Sequence, residues 1–464
     1  MTMNHILFSA VSFNELMETP IDSIDHDDLS LSEERLITLV TQLSEYIHSH
    51  SIDDIKRGSA IYWLTYALHY SVSRMQTEVV EQIISIAYAL AKKDPDAFCD
   101  LLSQPFQGGD FHGQSAFFVW MDELYSSVLD EKSHPNIVSL NFIFSYLLDH
   151  VASAVALALA KNHVEGSAAG KSGLLLIILT LLQAASIPYN QAVTQLMAEL
   201  LLKCMTKAPN IINRALTQEI MQGPFGGKSI IYFLVSVLRE LVRDKYNESA
   251  VNIVSNILLN VMQKGDRDSL ARSLFGIVGE GPYAGCHPLH IVLMSLVSAA
   301  YVNNNDIVFK QVIMVLQQLY NIFSNEMLLA LTKEITHGKH MGKNGAMMLI
   351  RAFIAGLDHK LDVTPLADGL SKLIDANPEA LVYAFMCPIG SMKEGGTSYL
   401  SLLIRILNEQ KQSDSKFQSV MVVMTRLTAS TQYRDRILQL SADERRSLSM
   451  HGLYAASPSI KRNF

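Results

Sequence analysis

The sequence predicts an all-α fold, an α-solenoid of about seven helical repeats of about 57 residues with helical caps at both ends. Three observations carry that expectation. The 464 residues are 49% apolar and 18% charged, and they hold 13 prolines and 24 glycines. That leaves too few turn formers for a β-sandwich, which needs a turn signal about every 8–12 residues. A glycine followed within two positions by a small polar residue recurs at Gly58, Gly113, Gly170, Gly227, Gly285, Gly342 and Gly396, at intervals of 55, 57, 57, 58, 57 and 54 residues. Each glycine opens a mainly apolar run of 12–15 residues, too long for an ordinary strand.

The elements follow in order. Residues 1–50 read as an acidic N-terminal cap, with Ser30 and Glu33 spaced as a capping box before "RLITLVTQLSEYI". Residues 1–57 hold eleven acids and three bases, which accounts for the whole net charge of −8 and leaves a neutral remainder. A neutral body with an acidic entrance lacks the electrostatic footprint of a nucleic-acid binder. Residues 51–410 carry the repeats. In each, the polar residue after the glycine (Ser59, Ser115, Ser172, Ser229, His287, Asn344, and Thr397 or Ser398) stands where a helix N-cap belongs. The apolar helix comes next, then a second amphipathic segment such as "NQAVTQLMAELLLKCMTKAP", then a shorter third one. Pro95, Pro209 and Pro378 mark the start of that third segment, where proline suits the first helical turn. Residues 411–450 read as C-terminal capping helices and 451–464 as a loose tail.

Chemistry-bearing motifs are sparse. "VEGSAAGKSG" (164–173) and "QGPFGGKS" (222–229) look like phosphate-binding loops, but each has three residues between its glycines where a P-loop needs four, and neither follows a predicted strand. They read as variants of one structural turn. Lys171, Lys228 and Lys343 occupy equivalent places beside it and are the candidate binding residues, a basic ladder for a partner; solvated loop lysines are the plainer account. "CHPLH" sets Cys286 beside His287 and His290, the candidates for a thiolate nucleophile with its base, although the cluster occupies the structural turn. His337 and His340, with His112 and His163 in nearby registers, lack the carboxylate or thiolate spacing of a zinc site. No metal and no cofactor is expected. Cys99, Cys204, Cys286 and Cys387 are scattered, which fits a reducing compartment rather than a disulfide framework.

At "GCHPLHIVLMSLVSAA" (285–300) the sequence resembles the ankyrin signature, in which a glycine precedes Thr-Pro-Leu-His; His287 stands at the threonine position and Val292 at the usual alanine. Only this unit carries the Pro-Leu-His core, and the period exceeds the roughly 33 residues of ankyrin and roughly 40–47 of HEAT or armadillo units. The chain therefore resembles an ankyrin-like or armadillo-like solenoid with enlarged units. Its divergent repeats and Ser/Asn/Gln-rich texture also resemble the helical effectors that intracellular bacterial pathogens inject into host cells. That resemblance implies a non-enzymatic interaction scaffold that binds a host protein through its repeat surface. The alternatives are an enzyme with a Cys/His site between repeats and a weak peripheral membrane binder. The stretch after Lys171 is uncharged to Ala198, but its strictly apolar part ends at Pro188, short of the about 20 residues a membrane span needs. The N-terminus shows no secretory signal pattern, so the expected location is the cytoplasm, or a host cell reached without a cleaved peptide.

Overall fold

The structure, a computed structural model, describes residues 13, 17, 32–57, 59–163, 168–188, 190–244, 247–303, 305–388, 398–410, 412, 414–430, 433 and 440–453. Among these the architecture is all-helical, with 23 α-helices, a few shorter helical turns and isolated β-bridges in place of strands. Two helices come first, α1 (Glu33–Ser49) and α2 (Ile52–Arg57). The next eighteen fall into triplets. They run α3 (Ala60–Ser73), α4 (Thr77–Lys93), α5 (Pro95–Ser103); α6 (Ala116–Ser127), α7 (His134–His150), α8 (Ala152–Ala160); α9 (Gly173–Ser186), α10 (Gln191–Lys207), α11 (Pro209–Thr217). They continue as α12 (Ile230–Leu241), α13 (Glu248–Lys264), α14 (Arg267–Phe275); α15 (Pro288–Ser298), α16 (Asp306–Ile322), α17 (Ser324–Thr332); α18 (Gly345–Asp358), α19 (Thr364–Ala376), α20 (Pro378–Met386). The chain ends with α21 (Tyr399–Glu409), α22 (Ser415–Ala429) and α23 (Ala442–Met450).

The three helices of a triplet differ because their sequences bury different amounts of surface. The first is apolar nearly all round and is buried accordingly: in α9 every residue from Gly173 to Leu181 is buried. The second carries an apolar stripe at helical spacing; α4 buries Val79, Val80, Ile83, Ile84, Ala87 and Leu90 and turns Glu78, Glu81 and Gln82 away. The third is nine residues long in all six triplets. Proline opens it at Pro95, Pro209 and Pro378, as the sequence predicts.

The chain divides into two compact bodies, residues 1–237 with 264–266, and residues 238–263 with 267–464. In the first body α3, α6 and α9 pack in succession, as do α4, α7 and α10, and α5, α8 and α11. Helix α1 lies against α3 and α4, and the Lys93 ammonium ties it down by donating to the Ile47 carbonyl at 2.9 Å. In the second body α15, α18 and α21 pack in succession, α16 on α19 on α22, and α14 on α17. Each body thus joins like helix to like helix.

A hairpin leads into most first helices. In the first of them Phe106 N–H donates to Gln114 O at 2.8 Å and Gly113 N–H returns a bond to Phe106 O at 2.9 Å. The same two bonds join His163 to Lys171 and Gly170, Ile220 to Lys228 and Gly227, Val278 to Cys286 and Gly285, and Ile335 to Lys343 and Gly342. The five returning glycines have φ between 75° and 81°, or 76° for Gly113, a region that a Cβ disfavours. The sequence marks these residues by their period, but a second glycine four positions earlier escapes that reading. Gly109, Gly223, Gly281 and Gly338 also sit at positive φ, so the full signature is G-x-x-x-G.

The predicted caps are mostly in place. Ser115, Ser172, Asn344 and Ser398 accept from Phe118, Leu175, Met347 and Ser401 N–H. Ser59 departs from the expectation: its hydroxyl donates to the Met17 carbonyl at 3.2 Å instead of capping α3. At the chain's first described helix the capping residue is Ser32, which accepts from Arg35 N–H. Ser30, Gly58, Gly396, Thr397 and residues 454–464 of the expected tail lie outside the described residues.

Candidate functional site

The hairpins answer whether the glycine-lysine turns hold phosphate. A phosphate loop needs free backbone N–H groups pointing at the ligand. Here Gly170 N–H is spent on His163 O and Lys171 N–H on Ala168 O, both at 2.9 Å; Gly226, Gly227 and Lys228 N–H are likewise spent within their own hairpin. Gly166, the other glycine of the first motif, lies outside the described residues.

The predicted candidates separate. Lys171, half-buried, stands 3.8 Å from Asp122. The Lys228 ammonium lies 5.7 Å from the Tyr232 ring centre. Lys343 is exposed and opens onto a cleft. Cys286 is fully buried, and burial pushes its thiol up to about 11. His290 is 1% exposed and burial pushes its imidazole down to about 4; its Nδ1 accepts from His287 N–H at 3.1 Å, and its Nε2 lies 3.3 Å from Ala330 O. Burial also lowers His287, whose ring is held against the backbone of Phe275 and Gly276. The imidazoles are thus engaged in fixing the start of α15, and no hydrogen bond joins either to Cys286 among the described residues. Those residues likewise contain no group of three metal-ligating side chains, and no helix among them is long and apolar enough to cross a membrane.

The prominent concave feature lies in the second body. It is a cleft of about 700 Å³ to which four successive first helices contribute. Arg239 comes from α12, Met294 and Ser298 from α15, Met347, Met348 and Arg351 from α18, and Tyr399 from α21. The hairpin before α18 adds His340 and Lys343; Tyr301 follows α15, and Tyr383 and Cys387 stand at the end of α20. The Arg351 guanidinium lies 5.3 Å from the Tyr301 ring centre, a cation–π distance. Arg239, half-buried, donates to Ser298 Oγ, and burial pulls its guanidinium below the ordinary range. His340 is lowered by burial and then by the positive charges of Lys343, Lys339 and Arg239. Cys387 shares the cleft with His340, but its side-chain bond is to Tyr383, and burial raises its thiol. Among the described residues no carboxylate lines this cleft. Guanidinium and ammonium groups beside phenol hydroxyls make a surface that binds carboxylate or phosphate oxygens and stacks on planar groups.

Arg239, Tyr301, Arg351, Tyr383 and Tyr399 escaped the motif reading. Their signal was present nonetheless: Arg239 breaks the apolar run of α12 just before Glu240, and Arg351 is the one charged residue of α18 ahead of its terminal Asp358. The first body holds a second pairing that motifs do not reveal. His69 Nδ1 of α3 meets Glu123 Oε1 of α6 at 2.5 Å, with the carboxylate side chain 6% exposed. Burial raises Glu123, while the bond to Glu123 raises His69.

No protein-family model, curated protein or solved structure matches this chain.

Proposed function

We propose that the chain is a non-enzymatic protein-recognition scaffold, an α-solenoid of about seven repeats of about 57 residues that engages a protein partner through the cleft of its second body. The carrying observation is the lining of that cleft: Arg239, Arg351, Tyr301, Tyr383, Tyr399, Met347 and Met348 around about 700 Å³. Tyrosine, arginine and methionine are the residue types enriched where protein interfaces concentrate binding energy. Triplets that share a third helix of constant length and pack like on like support the solenoid, because such arrays present long surfaces built from equivalent positions. That the partner is a host protein, and the chain a secreted effector, rests on the Ser/Asn/Gln-rich texture of the sequence.

The test is affinity capture with the purified full-length chain, run against bacterial and eukaryotic lysates beside a Tyr383→Ala variant. Tyr383 is 58% exposed, so its truncation leaves the core untouched. A stoichiometric eukaryotic partner lost in the variant, at unchanged melting temperature, is the expected result. A partner retained by the variant, or clean lanes from both lysates, refutes it.

A further inference from the structure

We infer that the occupant of this cleft is a short acidic stretch of the partner protein, its carboxylates set against Arg239, Lys343 and Arg351. The inference rests on the recognition reading above and specifies its chemistry.

Charge complementarity carries it. Several cations elsewhere among the described residues sit in ion pairs: Lys203 and Lys207 share Asp149, Arg267 meets Glu326, Lys310 meets Asp306, and Arg426 meets Asp375. Among the described residues the three cations of the cleft form none, although they stand together on one concave surface. Arg239 turns to a hydroxyl, Arg351 to a ring face, and Lys343 points to the opening. Arg239 is the telling member, because a half-buried guanidinium without a counter-ion is costly and an incoming carboxylate relieves that cost. The tyrosines around it supply hydroxyl donors and flat apolar faces, which suit a peptide backbone with short acidic side chains.

The neighbouring surface limits the length of the stretch. An adjoining cleft of about 420 Å³ shares Gly342, Met347 and Tyr383 with the first, but it is lined by Glu334 and Glu379. A uniform polyanion that runs past Tyr383 therefore meets like charge. A peptide whose acidic run stops there does not, and this favours a short acidic stretch over nucleic acid.

The probes are three fluorescein-labelled peptides, EEEEGYSSSS, SSSSGYSSSS and EEEEGYEEEE, and an oligothymidylate of about ten nucleotides, titrated by anisotropy into the full-length chain. EEEEGYSSSS is expected to bind tightest, to weaken several-fold from about 50 to about 300 mM NaCl, and to lose about tenfold in the Lys343→Glu/Arg351→Glu variant. Lys372→Glu, an exposed change on α19 outside the cleft, is the charge control and is expected to leave binding unchanged. Equal binding of EEEEGYSSSS and SSSSGYSSSS overturns the inference, as does tighter binding of the oligothymidylate or an equal loss in the Lys372→Glu control. Failure of the acidic probe, with a captured partner still lost in Tyr383→Ala, removes the acidic chemistry and leaves the recognition reading standing. Failure of both removes the reading itself.

Discussion

Replacing Gly170 and, separately, Gly227 with alanine measures how much adjacent hairpins stabilise each other. Both glycines close the same hairpin with nearly the same backbone, φ 77° and 75°. An L-residue in that left-handed region costs about 1–2 kcal/mol, and the stiffer unfolded chain returns about 0.4–1 kcal/mol. Gly227→Ala should therefore destabilise by about 1 kcal/mol or less, since a Cβ there meets nothing within 4 Å. Gly170 adds a collision. Its Cβ would overlap the Gln222 carbonyl oxygen and lie 2.8 Å from the Gln222 carbonyl carbon, and backbone cannot swing aside like a flexible side chain. The contact is mutual, because a Cβ on Gly223 would overlap the Ala169 carbonyl. Separating the two hairpins costs a further ~1–3 kcal/mol, the usual range for overpacking, which puts Gly170→Ala at about 1–4 kcal/mol. Urea unfolding followed by tryptophan fluorescence reads the difference, because Trp63 and Trp120 are both fully buried in the first body. At a slope of about 2–3 kcal/mol/M, the Gly170→Ala midpoint should fall by roughly 0.3–1.5 M more than that of Gly227→Ala. Equal shifts, or a larger one for Gly227→Ala, would refute hairpin-on-hairpin packing as a source of stability.

Two further outcomes follow from the side chains. His69 and Glu123 both hold their protons more tightly in the fold than in the unfolded chain, so both contributions fade as pH rises: that of Glu123 is full only below the ordinary carboxylate value, and that of His69 is full below the ordinary imidazole value and is lost as pH rises through its raised value. The urea midpoint should decline as pH rises above about 6.5, the ordinary imidazole value, and the decline should flatten in Glu123→Gln; a steeper decline in the variant would exclude this pair as the cause. Cys99, Cys204 and Cys286 are buried and only Cys387 is half-exposed. A thiol reagent should therefore label one cysteine of the native chain and none in Cys387→Ser, while rapid labelling of Cys286 would contradict its burial.

Much of the fold was legible because its punctuation is chemical. A glycine at positive φ, a polar residue two positions on and, in three of the six triplets, a proline at the third helix each answer a backbone requirement, so they recur along the chain. Ser59 shows the limit of that reading. It has the cap residue type and the right spacing, yet the nearby Met17 carbonyl takes its hydroxyl, a tertiary contact with no local trace. The second glycine of the hairpin was noticed only where it completed a lysine turn, as at Gly223, and not at Gly109, Gly281 or Gly338. At Gly223 and Gly338 part of its need comes from a neighbouring hairpin more than fifty residues away, at Ala169 and Ala284, and period alone does not expose such a contact.

The cleft was less legible because motif reading attends to clusters, whereas this site draws single residues from several helices. A register nevertheless marks it. Counted from each repeat glycine, the Asp, Glu, Lys and Arg residues of the first helices fall nine to thirteen positions on: Asp122 and Glu123, Arg239 and Glu240, Arg351, Arg405 and Glu409, with Asp358 at the last residue of α18 the exception. Elsewhere the surface of such helices is packed by neighbours, as α6 is by α3 and α9 and α18 by α15 and α21, and an unpaired charge there costs several kcal/mol. Apart from Asp358, charge is confined to the strip nine to thirteen positions on, where it is open to solvent or, like the buried Glu123, paired with a neighbouring helix. The same sterics that make the helix apolar thus confine its recognition groups to one window. Within that window α6 carries two acids and α18 a lone arginine, so the units share a backbone plan and differ in the charge they present. Selectivity in such an array is a matter of window composition, and substitutions there should alter which partner binds while the glycines and caps continue to fix the fold.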